Sequence, residues 1–180
     1  MIDLFRQQLA NYFVSFHHSA SCNFNAFKEA HCASDLPNNS FSHSLEGVSK
    51  VILYMPMLLQ DIEHVLYSEE VAVEIRVLLS GIYSYVFSPV GYISEKKHGF
   101  LGFVDDALVL FYGMQLSQSM DERIVFESIH EPEFITAIET CENLLRRDLL
   151  GILKDYPRRI SKVALTTCSE AIKTTESECM

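Results

Sequence analysis

The chain has 180 residues, of which 48% are hydrophobic and 21% charged, a composition that suits one folded domain and argues against global disorder. Fourteen Lys and Arg stand against 24 Asp and Glu, a formal charge of −10, and the basic clusters Arg146-Arg147 and Arg158-Arg159 are short. Nucleic-acid binding needs a basic surface to displace counter-ions from phosphates, so no nucleic-acid partner is expected, and attachment to anionic lipid through a polybasic patch is disfavoured.

Residues 2–16 carry Ile2, Phe5, Leu9, Tyr12, Phe13 and Phe16 at helical spacing, which predicts a first helix. The segment lacks a basic n-region before a long apolar core, so it does not read as a secretory signal. The Ser-, Asn- and His-rich stretch that follows, HHSASCNFNAFKEAHCASDLPNNSFSHS, reads as a long loop with one helical turn near Asn25–His31. From Leu45 to Leu66 an apolar stripe (Val48, Val51, Ile52, Met55, Leu58, Leu59, Ile62, Val65) marks an amphipathic helix bent at Pro56. Ser68 with Glu69 and Glu70 reads as the start of the next helix, which runs to about Phe87, since a residue before proline is pushed out of helical geometry.

Phe100 to Ser117 is a strongly apolar helix with Asp105 and Asp106 near its start, where free N–H groups and the dipole favour negative charge. One aspartate is expected to hold the backbone of the connector and the other to pair with a cation or water, with Lys96 and Lys97 as candidate partners. A short helix before Pro132, a long one from Glu133 to Lys154 ended by Pro157, and a last one over Ile160–Ile172 complete the chain. The expectation is an all-α, compact bundle of about six helices around a central apolar hairpin. In domain terms, residues 1–44 form an N-terminal helix and loop, 45–172 the helical domain with its hairpin at 68–117, and 173–180 a mobile tail.

The apolar runs raise the question of a membrane. Val77–Ile93 is short and interrupted, and Phe100–Leu116 is shorter still and holds two carboxylates, each costing about 2.5–3.5 kcal/mol at a helix centre on insertion scales. A buried hairpin in a cytoplasmic protein is the leading expectation, with membrane association left open. The five cysteines form no C-x-x-C pair, which suits reduced thiols.

Motifs for chemistry are sparse. No Gly-rich phosphate loop, G-x-S-x-G or H-E-x-x-H occurs, and nothing implies a cofactor. Two acid-x-x-His spacings, Asp61 with His64 and Glu127 with His130, have the i, i+3 geometry that di-iron bundles use, and are the metal candidates. His17, His18, His31, Cys22 and Cys32 cluster near the N-terminus but are too irregular for a zinc motif and read as loop residues.

The segment SPVGYISEKKHGFLGFVDDALVLF, Ser88 to Phe111, carries Ser88, Pro89, Val90, Ile93 and Glu95, then Gly102, Phe103, Val104, Asp105 and Asp106. In this pattern the chain resembles the YkvA-like helical domain, a family of unknown function that also occurs in a membrane-bound RING-type ubiquitin ligase. The resemblance covers about a quarter of the chain. It departs at Gly91 and Ser94, where family members usually carry an aspartate and a second proline, and in the charged linker Lys96-Lys97-His98. It implies a helical hairpin and frequent membrane assignment, and supplies no reaction. The expected function is a non-enzymatic helical interaction or regulatory module with a protein partner or a second copy of itself. The alternatives are a metal-binding helical bundle or metal-dependent enzyme, and an integral membrane hairpin.

Overall fold

The computed structural model describes the backbone of residues 2–17, 20–33, 41–88 and 91–178. Side chains are described for all of these except 12, 13, 15–17, 20–23, 41, 42 and 164–178. Among the described residues the α-helices are, in order, α1 Ile2–His17, α2 Ala20–His31, α3 Phe41–Tyr67, α4 Val73–Val86, the single turn α5 Glu95–His98, α6 Val104–Met120, α7 Pro132–Leu144 and α8 Arg147–Glu178. Short 3-10 segments at Gly99–Phe103 and Glu127–His130 lead into α6 and α7. The described residues contain no strand, so the all-α reading holds.

α6 is the centre. Every residue from Val104 to Met114 is buried, so it has no polar face to turn outward. α3, α4 and α8 pack around it, and α7 lies along α3. On α3 the predicted stripe is the buried one: Val48, Val51, Ile52, Met55, Leu58, Leu59 and Ile62 are fully covered, and Pro56 sits inside the helix without ending it. The run Glu95–Met120 is long and apolar enough to cross a membrane by composition, but 78% of its apolar window is buried inside the bundle.

Several sequence expectations are corrected. The predicted loop before residue 44 contains a full helix, α2, whose Phe24 and Phe27 are buried in the common core. Ser68 does not open a helix: its carbonyl accepts from the Arg76 guanidinium, and α4 begins five residues later, at Val73 behind Ala72. The long helix expected over Glu133–Lys154 is broken at Leu145, where the chain turns extended. There Cys32 bridges Leu145, Ala33 N–H donates to the Leu144 carbonyl at 3.0 Å, and Arg146 N–H donates to His31 at 2.9 Å. These bonds tie the end of α2 to the α7–α8 junction, a long-range demand that no local propensity carries. Pro157 does not stop a helix either. It lies inside α8. A proline forfeits one bond to the residue four back, and Pro157 is buried against the rest of the bundle.

Candidate functional site

The stretch carrying the family resemblance folds into a stapled connector. Pro89, Val90, His17, His18 and Cys22 lie outside the residues whose side chains are described, but Ser88 and everything from Gly91 onward are described. Asp105 is the second residue of α6 and is fully buried. It does not cap its own helix. Its Oδ2 accepts three hydrogen bonds, from the Tyr85 hydroxyl at 2.8 Å, Tyr92 N–H at 2.7 Å and Ile93 N–H at 3.1 Å. One carboxylate oxygen thus joins the end of α4 to the connector, as expected of one of the two aspartates.

Two glycines make the staple fit. A Cβ on Gly91 would stand 3.0 Å from Asp105 Oδ2, so the bare backbone here lets the connector close over the carboxylate. A Cβ on Gly102 would stand 2.4 Å from Glu95 Cα and 2.6 Å from Glu95 N, so this glycine lets the start of α5 rest on the 3-10 segment.

Asp106 has no such support. It is 2% exposed, and its Oδ2, like Asp105 Oδ1, has no hydrogen-bond partner. Burial pushes the Asp105 carboxyl up to about 6, while Tyr85 and the Ile93 and Tyr92 amides hold it back. Burial pushes Asp106 to about 10, helped by the neighbouring negative charges of Asp105 and Glu95. At neutral pH the pair therefore holds one proton, with the donors favouring ionised Asp105 and neutral Asp106. The cation expected beside them is absent among the described residues: Lys96 and Lys97 are exposed, and the ion pairs found there join other acids.

A cleft of about 470 Å³ opens directly over the staple, lined by Gly81, Ser84, Tyr85, Ser88, Gly91, Tyr92 and Tyr156. The Tyr85 ring lies 4.7 Å from Tyr156 and 6.2 Å from Tyr92, and Tyr92 meets Tyr156 edge-on at 6.2 Å. A second cleft, of about 490 Å³, lies between α6, α7 and α8. Phe111, Leu116, Ile135, Ile138 and Pro157 form its apolar lining, with Glu139 and Arg158 among its charged residues. On one wall Glu142 accepts from the Tyr112 hydroxyl at 2.7 Å and pairs with Lys154 at 2.8 Å, and the Lys154 ammonium sits 5.4 Å from the Tyr112 ring centroid.

The two acid-x-x-His motifs do come near each other, but through Ser128, whose hydroxyl donates to Asp61. His64 and Glu127 are exposed, and His130 is paired with Gln118 at 3.3 Å. The described residues hold no group of three His, Cys, Asp or Glu side chains placed to hold a metal. The fold makes a different histidine pair. His31 at the end of α2 and His98 at the end of α5 face each other with Nε2 atoms 3.1 Å apart, packed on Phe27. Burial lowers both, His31 to about 4, and neighbouring Lys97 adds to each shift. They are 67 residues apart, so no spacing in the sequence signals them.

No family model matches the chain, and no curated protein or solved structure matches it significantly.

Proposed function

We propose that the chain is a helical interaction module of the YkvA-like kind, in which the Asp105 staple shapes the hairpin and the α6–α7–α8 cleft receives an amphipathic helix of a partner protein. The observation that carries this reading is the composition of that cleft. Its lining is aromatic and aliphatic, acids and bases border it, and Ile135 in the lining and Met120, next in the chain to the lining residue Ser119, are each 39% exposed. An apolar groove with charged borders suits a helix that presents apolar residues at i, i+3 and i+4 and charged residues beside them. The staple supports a structural role for the resembling residues, because Asp105 is occupied with backbone donors rather than turned to solvent. Action at a membrane surface belongs to the same proposal.

The test is a pair of surface substitutions, Ile135→Glu with Met120→Glu, scored by light scattering and by capture of a partner from the native source. The double variant should keep its helical circular dichroism and lose association at least about tenfold, since each buried aliphatic anchor contributes about 1.5–3 kcal/mol. A wild-type chain that stays a monodisperse monomer, captures no protein and binds no vesicle would overturn the proposal. Self-association abolished by the variant would identify a second copy as the occupant.

A further inference from the structure

The cleft over the Asp105 staple supports an inference that does not rest on the partner-helix reading. We propose that the cleft lined by Tyr85, Tyr92 and Tyr156 binds a methylated ammonium cation.

The three rings come from α4, the connector and α8, and the fold brings them together deliberately at two glycines. A Cβ on Gly81 would stand 2.8 Å from Ile160 Cγ2, so the absent side chain lets α8 approach α4 closely enough to set Tyr156 on Tyr85. Gly91 forms another part of the wall, and behind it lies Asp105 Oδ2. Tyr85 contributes to the wall and hydrogen-bonds the same oxygen. The cleft is therefore aromatic at its surface and anionic one atom layer below. Asp105 is fully buried, has no cationic partner among the described residues, and keeps Oδ1 unpartnered.

These features select a ligand class. An anion would face the Asp105 carboxylate. A divalent metal would require several converging oxygen ligands, and the described residues offer no such group. A methylated ammonium carries its charge on a weakly hydrated, apolar-surfaced head, which is attracted by ring faces and by a buried negative charge without needing direct oxygen contacts. Tyr92 is exposed and Tyr156 half-buried, so both can meet a ligand in the cleft, whereas Tyr85 is buried, held by Asp105, and serves as the fixed wall.

The experiment titrates the full chain with choline and, in parallel, with 3,3-dimethyl-1-butanol, the uncharged carbon isostere of choline, by calorimetry and by tyrosine fluorescence. Choline should saturate and the isostere should not. Tyr92→Leu and Tyr156→Leu should each weaken choline binding about tenfold, and Tyr156→Phe should restore it, with circular dichroism unchanged throughout. Tyr92→Leu leaves the Tyr92 N–H bond to Asp105 in place, so the staple survives the test. Phosphatidylcholine vesicles and free trimethyl-lysine then distinguish sources: pelleting with vesicles would place the cation on a lipid headgroup, and binding of trimethyl-lysine alone would place it on a modified side chain. Equal binding of choline and its isostere, no choline binding up to about 20 mM, or undiminished binding in both leucine variants would overturn the proposal.

Discussion

Adjacent acids buried on one apolar helix do opposite work in this protein. Asp105 is a hydrogen-bond acceptor for three buried donors, and Asp106 is a carboxyl that burial keeps protonated. Asp105→Ala would leave the Tyr85 hydroxyl and the Tyr92 and Ile93 amides without their acceptor, at about 1–3 kcal/mol each. Chemical denaturation should therefore show a loss of about 3 kcal/mol or more, a large part of the stability of a domain this size. Asp106→Asn should act in the other direction. The folded carboxyl titrates near 10 against an ordinary 3.8, so folding takes up a proton and stability falls as pH rises through that window. Asparagine removes the requirement. The variant should match the wild type near pH 4 and be the more stable by a few kcal/mol at pH 8, because the wild type must take up a proton on folding there and asparagine need not. A stability difference that does not grow with pH would mean that Asp106 is ionised in the folded protein.

At the scale of elements, helix contacts are decided by where a side chain is missing. The α4–α6 crossing is close because Gly113 faces Ile82: a Cβ there would stand 2.0 Å from Ile82 Cδ1 and 3.0 Å from Cγ1. Gly113→Ala should cost about 1–3 kcal/mol by overpacking. Ile82→Val removes the offending Cδ1, so the double variant should recover part of that loss, and thermal melts of the four-member cycle would measure the coupling. Additive losses would show that the helices separate rather than collide. Gly47 against Thr140 and Gly81 against Ile160 play the same part at the α3–α7 and α4–α8 contacts. Periodicity predicts the buried stripe of α3 well because each of its positions answers to the same core. It fails at Leu145 and at Pro157, where pairing with Cys32 and packing against α4 and α6 set the helix limits instead of local preference.

Across the whole molecule, one buried group and one half-buried group tilt stability in opposite senses. Raised Asp106 favours low pH. Depressed His31 favours high pH: its folded value of about 4 lies below the ordinary 6.5, so the stability it contributes is present above 6.5 and is lost as pH falls toward 4. The groups acting on His31 are His98, Lys97 and Arg146, and Lys97 also acts on His98. None of these is acidic, so a second proton on the pair has no counter-charge. Acid should therefore loosen α2 from α5 before the main body unfolds. Hydrogen exchange, corrected for intrinsic rates, should show faster exchange over Phe24–Ala33 at pH 4.5 than at pH 7, while α6 is unchanged. His31→Leu should remove that difference; its persistence would assign the acid sensitivity elsewhere.

The amino-acid sequence by itself determined the helical class, the buried face of α3, the placement of the hairpin connector and the expectation that an aspartate holds its backbone. Those features depend on spacing within a few turns and on residues such as Gly102 and Asp105 that act on close neighbours in the chain. Only the tertiary structure decided which aspartate does the holding, that the other lacks a cation, that Tyr156 joins Tyr85 and Tyr92, and that His31 meets His98. The tyrosine and histidine contacts join elements far apart in sequence, and the roles of the two aspartates depend on how the connector closes over α6 and on how little water reaches them.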